Sequence, residues 1–131
     1  MTVTLKIRDE SSPGKVASVL ELPELPETIT LRELIRTRVR EEVAKVNADP
    51  AREFRTLVRP TDAEISLNGY RLLRPKPIDW QRQAQVAEEA FERNGFFVLV
   101  DGQQVTELDA ELALTADTDI RFMRLTPLVG G

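Results

Sequence analysis

The residues best suited to chemistry stand at the end of the sequence, in the stretch LTPLVGG. Gly130 and Gly131 have no Cβ atoms, so their backbone adopts conformations that other residues disfavour. Glycine also loses more backbone entropy on ordering than any other residue, so this pair does not stabilise a fold. Pro127 restricts the backbone before it, and Leu128 and Val129 are apolar. The stretch is typical either of a linker without a role or of a segment that enters a narrow channel.

The composition excludes several kinds of catalytic site. The sequence of 131 residues contains no cysteine and no histidine. It therefore offers no disulfide, no thiolate nucleophile, no imidazole base and no Cys/His metal site. Carboxylates, lysines, hydroxyls and one tyrosine remain, and they are scattered along the chain. We predict that the protein is not an enzyme, binds no metal and needs no cofactor of its own.

The charge balance and the hydropathy narrow the range of partners. Lys and Arg number 18 against 22 Asp and Glu, which gives a net charge of −4 and no electrostatic attraction to nucleic acid. No apolar run reaches the length of about 18 residues that a membrane-spanning helix needs. The first residues, MTVTLKIRDE, lack the pattern of a signal peptide. The expected location is the cytoplasm, with neither nucleic acid nor a membrane as partner.

Two alternating segments open the sequence and predict a β-hairpin. In TVTLKIR (2–8) the apolar residues Val3, Leu5 and Ile7 share one face, as in a half-buried strand. KVASVLEL (15–22) predicts a second strand. The stretch DESSPG between them is rich in turn residues.

A long helix is predicted to follow at Leu31. Thr30 precedes it and Glu33 comes three residues after Thr30, which is the spacing of a capping box. The apolar residues recur with a helical period and form one stripe, with Arg and Glu on the opposite, solvated face: Leu31, Leu34, Ile35, Val39, Val43 and Val46. The helix should end near Asn47, because a proline follows soon afterwards.

Residues 48–94 are predicted to form an insertion. Within it, AREFRTLVRP indicates a short helical piece. The Asn-Gly pair in EISLNGYRLL favours a small hairpin.

The insertion should also contain a second helix, in DWQRQAQVAEEAFERNG. Asp79 is its predicted cap, and Asn94-Gly95 its predicted end. Trp80, the only tryptophan, falls on the apolar stripe of this helix together with Ala84, Ala87 and Phe91. That position favours core packing over stacking on a ligand.

The last part of the sequence predicts the remaining strands. FFVLVDGQQV (96–105) has two strand-forming runs around Asp101-Gly102, which is a tight-turn signal. ELDAELAL indicates a short helical turn, and IRFMRL (120–125) the final strand. The expected class is α+β, with a mixed sheet and one main covering helix. If the first and last strands pair at the centre of this sheet, the long helix covers one face and the other faces solvent.

The final strand also predicts a surface for a partner. If its core residues face the helix, Met123 and Leu125 point outward beside the tail. Outward apolar side chains in such a place favour docking, unless the insertion covers them. Arg124 is assigned to the same docking surface. It and Arg121 either pair with acids on a partner or only solubilise the protein.

Taken in order, VDGQQV, ELDAEL and TADTDIRFMRLTPLVGG resemble the carboxyl half of the β-grasp sulfur carriers. This family contains the small molybdopterin-synthase subunit and the thiazole sulfur carrier, and it is close in fold to ubiquitin. The resemblance covers about residues 1–47 and 95–131 of a single predicted domain, residues 1–131. Only Pro127 and the terminal Gly-Gly match position by position. The fold that it implies is a ubiquitin-like β-grasp with one main covering helix.

The resemblance implies a carrier or modifier on which partner enzymes act. The carboxylate of Gly131, with Gly130 beside it, would be adenylated with ATP by a ubiquitin-activating-type enzyme. It would then pass to a partner cysteine as a thioester. Pro127, Leu128 and Val129 would lie in the channel of the partner.

Two fates of the activated carboxyl group remain open. Transfer to an amine on a target protein is conjugation, and exchange of one oxygen for sulfur makes a thiocarboxylate carrier for cofactor or thiolation biosynthesis. The insertion at 48–94 favours conjugation, because it changes the surface that a cofactor-synthesis enzyme would meet. A rival from another class is a non-covalent adaptor, which would work without the last two glycines.

Overall fold

The computed structural model describes residues 1–12 and 14–124. They form nine strands and two helices, in two compact units. The strands are β1 (Thr2–Ser12), β2 (Lys15–Pro26), β3 (Thr28–Thr30), β4 (Ala63–Ser66), β5 (Gly69–Leu72), β6 (Phe96–Val100), β7 (Gln103–Val105), β8 (Glu111–Ala113) and β9 (Ile120–Arg124). The helices are α1 (Leu31–Ala48) and α2 (Trp80–Glu92). The first unit contains Met1–Glu33 and the chain from Phe91 onward, and the second contains Leu34–Ala90.

The first unit is built around a mixed sheet. Among the described residues this sheet has five strands, in the order β2-β1-β9-β6-β7. β1 and β2 form the predicted antiparallel hairpin, with Leu5 opposite Leu22. β1 runs parallel to β9, with Ile7 beside Ile120, and β6 pairs antiparallel with both β9 and β7. The α+β class is confirmed, and the first and last strands pair at the centre of the sheet.

One face of this sheet carries apolar core residues. Ile120 and Phe122 of β9 and Phe96 and Val98 of β6 are all buried. The rings of Phe96 and Phe122 stack with their centroids 5.8 Å apart. The ring centroids of Phe91 and Phe96 lie 5.7 Å apart. We call this the inner face of the sheet, and the opposite one the outer face. The prediction that α1 covers one face involves both units and stays a prediction, as does the single domain.

The tight turn predicted at Asp101-Gly102 is present. Val100 pairs with Gln103 across it, so the loop has two residues. Asp101 has a φ of 50° and Gly102 a φ of 81°. Positive φ at both central residues is typical of the turn that matches the twist of a hairpin, and it explains the Asp-Gly sequence.

The segment ELDAELAL (107–114) forms a turn and then a strand, where the sequence predicted a short helical turn. The Ala110 amide donates to the Glu107 carbonyl at 3.1 Å, which closes a turn in the first half. In the second half, Glu111–Ala113 are β8, which pairs antiparallel with β3. The carbonyls of Leu108 and Ala110 accept hydrogen bonds from the amides of Arg32 and Leu31, at 2.8 and 3.0 Å. Glu, Leu and Ala are strong helix formers, but pairing with a distant strand outweighs that local preference. The prediction was therefore wrong for Glu111–Ala113.

α1 begins at its predicted cap. Thr30 Oγ1 accepts a hydrogen bond from the Glu33 amide at 3.1 Å, which satisfies one of the N–H groups left free at a helix start. The helix ends at Ala48, one residue beyond the predicted end. All six residues of its apolar stripe are buried, as predicted.

Two charged residues of α1 are buried, which contradicts the prediction of a fully solvated charged face. Arg38 is 2 % exposed and Glu42 is 7 % exposed. Arg38 Nη2 lies 3.4 Å from Glu42 Oε2, and the other oxygen of Glu42 accepts a hydrogen bond from the Leu57 amide at 3.1 Å. Buried charges persist where they are paired and hydrogen-bonded. The same i,i+4 spacing also occurs on exposed helix surfaces, so the sequence does not reveal the burial.

The second unit contains the predicted hairpin, with its turn shifted by one residue. Ser66 pairs with Gly69, so the turn residues are Leu67 and Asn68 and not the Asn-Gly pair. Gly69 is instead the first residue of β5. The small residue is needed there for a close contact, not for the turn.

That close contact comes from AREFRTLVRP, which is not helical. Its Phe54 forms an isolated bridge with Tyr70, in which each amide donates to the carbonyl of the other at 2.8–2.9 Å. A Cβ atom at Gly69 would lie 2.2 Å from the Phe54 carbonyl oxygen. The helical prediction was wrong because the backbone of Phe54 pairs with Tyr70 of β5.

α2 begins and ends as predicted. Asp79 Oδ1 accepts a hydrogen bond from the Gln81 amide at 3.0 Å. Asn94 follows the helix with a φ of 61°, which is the left-handed conformation that ends many helices. Ala84 and Ala87 of the predicted apolar stripe are fully buried.

Trp80 packs within the second unit, although its neighbours are cationic. The residue is half-buried. The guanidinium carbons of Arg36 and Arg40 lie 5.5 and 5.4 Å from its ring centroid. Both distances suit cation–π attraction, which joins the start of α2 to α1.

Candidate functional site

The predicted docking residues lie at the end of β9, the middle strand of the mixed sheet. Met123 and Arg124 are the last two described residues, and both are half-buried. Met123 lies opposite Phe97, and Arg124 opposite Phe96. Because successive side chains alternate along a strand, Arg124 shares the inner face with Phe96 and Met123 lies on the outer face. The structure thus separates two residues that the sequence grouped together.

The other predicted site residues lie outside the described residues: Leu125, Pro127, Leu128, Val129, Gly130 and Gly131. In the sequence they follow β9 directly. The structure therefore shows where this segment starts, which is at Arg124 beside the first residue of β6.

The outer face around Met123 combines apolar and charged side chains. Cross-strand pairing places Phe97 beside Met123 and Leu99 beside Arg121. On the other side of β9, Arg8 lies beside Arg121. All five side chains are half-buried, and we call them the outer patch. Surfaces that place arginine and aromatic side chains next to apolar area are typical of protein–protein contacts.

Ion pairs hold the charged part of the outer patch in place. Asp119, the residue before β9, accepts hydrogen bonds from Arg8 Nη1 and from Arg121 Nε, each at 2.8 Å. Arg121 Nη1 also donates to Oε1 of Glu10, a side chain that is only 3 % exposed. Arg121 therefore bridges two carboxylates, and Asp119 bridges two guanidinium groups. This network connects β9 to β1 by side chains as well as by backbone.

Backbone hydrogen bonds extend the network into two turns. Glu10 Oε2 accepts a hydrogen bond from the Gly14 amide at 3.2 Å. The Asp119 amide donates to Asp101 Oδ1, and the Asp101 amide donates to the Asp119 carbonyl, each at 2.8 Å. The start of β9 is thus connected to the turn before β2 and to the turn between β6 and β7.

Sequence reasoning missed most of this network. It considered Arg121 only as a solubilising or partner-binding residue and did not identify Arg8, Glu10 or Asp119. Arg8 and Asp119 are 111 positions apart, and no local pattern reports such a pair. Glu10 fell in the predicted turn, whereas β1 continues to Ser12. The one useful signal was the alternation that predicted both the first and the last strand, because these strands, once paired, bring Arg8 beside Arg121.

The carboxylates of Glu10 and Asp119 raise the pKa of Arg121 above its usual value, because both accept hydrogen bonds from its guanidinium. A base with a raised pKa stabilises the fold at pH values below its unfolded pKa, and that contribution is lost only as the pH rises through the folded pKa. Both values lie far above neutral pH. Arg121 therefore keeps its charge throughout the physiological range, and its contribution to stability does not change there.

Replacing Glu10 with glutamine is expected to lower the melting temperature. The neutral amide weakens the charge-assisted hydrogen bond to Arg121, and it leaves Asp119 to balance two guanidinium groups. Thermal unfolding followed by circular dichroism measures the effect. Glu21→Gln is the matched control, because Glu21 is exposed on β2 and such substitutions usually have little effect. Equal melting temperatures for the two variants would show that the network does not stabilise the protein.

The described residues contain neither a metal-binding cluster nor a membrane-spanning helix. In residues 1–12 and 14–124, no three His, Cys, Asp or Glu side chains are grouped so that they could hold a metal ion. In the same ranges neither helix is both long enough and apolar enough to cross a membrane.

Comparisons of the chain with protein-family models, with curated proteins and with solved structures found no match.

Proposed function

We propose that the protein is a ubiquitin-like β-grasp modifier. An activating enzyme adenylates the Gly131 carboxylate, and the acyl group passes through a partner cysteine to an amine on a target protein. The protein is itself the substrate of these enzymes.

The position of β9 supports this proposal more than any other observation. β9 lies between β1 and β6 and is parallel to β1, so the sequence from Leu125 to Gly131 starts from the middle strand of the sheet. Backbone bonds on both sides and the ion pairs of Arg121 hold that strand. The pairing of the first and last strands is also what the resemblance to β-grasp carriers requires.

Because β9 is held firmly in the sheet, the segment that follows it starts from a fixed position. Such a position suits chemistry at the Gly131 carboxyl group. A carboxylate is a poor electrophile, because its charge and resonance oppose an attacking nucleophile. One of its oxygens therefore attacks the α-phosphorus of ATP, which forms an acyl adenylate and releases pyrophosphate. A cysteine thiolate of the partner attacks the acyl carbon and releases AMP. An amine of the target then attacks the thioester, forms an amide and releases the thiol.

The residues of the segment fit a narrow channel in the activating enzyme. Gly130 and Gly131 allow a close approach of the backbone to the channel walls, since they have no Cβ atoms. Leu128 and Val129 provide apolar contacts at its mouth. Pro127 reduces the number of conformations that binding must select among.

We assign the outer patch to the contact with the same enzyme. Met123 and Phe97 present apolar area close to the start of the segment. Arg8 and Arg121 are already held by ion pairs, so binding orders few further groups and costs little conformational entropy.

Tryptic peptides test the proposal directly. Trypsin cleaves after Arg124, so a lysine that received the Gly131 carboxyl group retains an LTPLVGG branch. The chain, tagged at its amino end, is expressed in its native host, and the proteome is searched for this branch by mass spectrometry. A chain without Gly130 and Gly131 is the matched control. We expect branched lysines with the full chain and none with the control.

The other outcomes identify the rival functions. An intact chain that gains the mass of an oxygen-to-sulfur replacement, without branched lysines, would indicate a sulfur carrier. A full chain without either change, whose shortened form works equally well, would indicate a non-covalent adaptor. Either result would overturn the proposed conjugation.

A further inference from the structure

The hairpin of the second unit exposes two large apolar side chains at its tip. Ile65 is 73 % exposed and Leu67 is 94 % exposed. Ile65 lies on the same side of β4 as Ala63, which belongs to a buried apolar cluster with Leu72. The hairpin therefore extends beyond the cluster that covers its base. We call residues 65–68 the hairpin tip.

The tip is held firmly by the segment beside it. The Asn68 amide donates to Glu53 Oε2 at 3.0 Å, and the Asn68 carbonyl accepts from Arg55 Nε at 2.7 Å. Phe54, between Glu53 and Arg55 in the sequence, exchanges backbone hydrogen bonds with Tyr70. The ring centroids of Phe54 and Tyr70 lie 6.2 Å apart. The apolar side chains are thus presented by a braced hairpin, so a partner orders few additional groups on binding.

The backbone of β4 offers hydrogen bonds to an added strand. Tyr70 directs its N–H and C=O groups to Phe54 and not to Ile65, which lies opposite it in the hairpin. At such a non-bonded position of an antiparallel pair, both residues direct these groups away from each other. Within the described residues β4 pairs with β5 alone. Ile65 therefore presents one donor and one acceptor at an open edge.

The charge around the hairpin is opposite to that of the whole chain. Residues 52–76 contain six of the 18 basic residues but only three of the 22 acidic ones. All six basic side chains are exposed: Arg52, Arg55, Arg59, Arg71, Arg74 and Lys76. Two of the acids already face a base. Asp62 lies 3.5 Å from Lys76, and Glu64 lies opposite Arg71.

From these observations we infer that the hairpin tip binds an extended, acidic segment of a partner protein. The segment adds to the open edge of β4 through the backbone of Ile65. Its central apolar residues cover the side chains of Ile65 and Leu67, and acidic residues on either side of them meet the exposed arginines. The interaction uses no residue of the outer patch and does not depend on the proposed modification.

An anionic membrane and a second copy of the chain fit the hairpin less well. Most acidic residues lie outside residues 52–76, and an anionic membrane surface repels them. A second copy paired through this hairpin would bring two basic segments together. Five of the six basic residues are arginines, whose planar guanidinium pairs with carboxylates through two parallel hydrogen bonds. An acidic protein segment suits the apolar, backbone and charge features together.

Fluorescence anisotropy with labelled peptides tests this inference. The probe peptide carries isoleucine and valine at its centre and aspartate and glutamate at both ends. One comparison peptide has lysine in place of the acids, and another has serine in place of the apolar residues. We expect the probe to bind at least about tenfold more tightly than either comparison peptide. Its affinity should fall as salt is added, because part of the attraction is electrostatic.

Substitutions in the protein locate the binding site. Ile65→Ser and Leu67→Ser should each weaken binding of the probe by about tenfold. Leu73→Ser is the matched control, because Leu73 is 65 % exposed and lies outside the tip, and it should leave binding unchanged. Equal melting temperatures for the three variants would show that the loss is local.

Several results would overturn the inference. Equal affinities of the protein for the three peptides would show that neither charge nor apolar contact contributes to binding. Tip variants that bind the probe as tightly as the wild type would show that the peptide binds elsewhere. Tip-dependent binding to phosphatidylserine vesicles, without binding of the probe, would indicate a membrane. Tip-dependent dimers in analytical ultracentrifugation would indicate a second copy. None of these measurements involves Gly131 or an activating enzyme, so they do not depend on the outcome of the conjugation test.

Discussion

Replacing Gly131 with phenylalanine is expected to abolish the LTPLVGG branch on target lysines and to leave thermal unfolding unchanged. A benzyl group cannot enter a channel that admits glycine, so the carboxylate no longer reaches the α-phosphate of ATP. The buried apolar residues described above lie between Leu5 and Phe122, so we expect the fold to be unaffected. Mass spectrometry of tryptic peptides and a melting curve measure the two quantities.

A smaller substitution at the same position is the control. Gly131→Ala adds only a methyl group and should reduce the amount of branched lysine without abolishing it. A phenylalanine variant that still forms branches at the wild-type level would contradict activation at this carboxylate. A clear drop in its melting temperature would mean that Gly131 contributes to the fold.

Replacing Phe122 with alanine is expected to lower the free energy of unfolding by about 3–5 kcal/mol, the usual cost of truncating a buried aromatic residue. Phe122 is buried on the middle strand of the sheet and stacks on Phe96, with an angle of 27° between the rings. Phe96 in turn contacts Phe91, so the cavity would open within a row of aromatic rings. Since domains are commonly stable by about 5–15 kcal/mol, this change removes a large share of the stability. Urea unfolding measures it.

Phe97→Ala provides the comparison for this effect. Phe97 lies on β6 next to Phe96, but it belongs to the outer face and is half-buried. Less apolar area is lost there and no enclosed cavity forms, so the destabilisation should be clearly smaller. Equal losses at Phe97 and Phe122 would contradict the assignment of the core to the inner face.

Much of the fold could be predicted because the residue types within short segments indicate it. Thr30 and Asp79 cap their helices through bonds to amides only two or three residues away. Asp101-Gly102 forms its turn because the pair tolerates positive φ. These features depend on residue type and short spacing, both of which are visible in the sequence.

The wrong predictions arose where a distant segment determines local structure. The second half of ELDAELAL is a strand because β3 pairs with it, and AREFRTLVRP is not helical because Phe54 is bridged to Tyr70. Arg38 and Glu42 follow a surface-like i,i+4 pattern, yet they are buried together beside Leu57. Propensity and charge patterning describe one segment at a time, whereas burial depends on what packs against that segment.

Part of the candidate site could likewise be predicted from the sequence, and part could not. Alternation along the final strand correctly placed Met123 away from Phe122, and in the structure it puts Arg124, assigned to the same docking surface, on the face of Phe96. The residues that hold β9 in position, Glu10 and Asp119, could not be identified. Glu10 lay outside the predicted first strand, and Asp119 lay just before the predicted final strand.

By itself the sequence determined the α+β class, the starts of both helices and the hairpins, because periodicity and turn chemistry are properties of single segments. The tertiary structure decided that the first and last strands pair at the centre of the sheet, which charges are buried and which side chains support β9. Those outcomes depend on contacts between residues as far as 111 positions apart, such as Arg8 and Asp119. Contacts at that separation form only when the strands have been brought together in space.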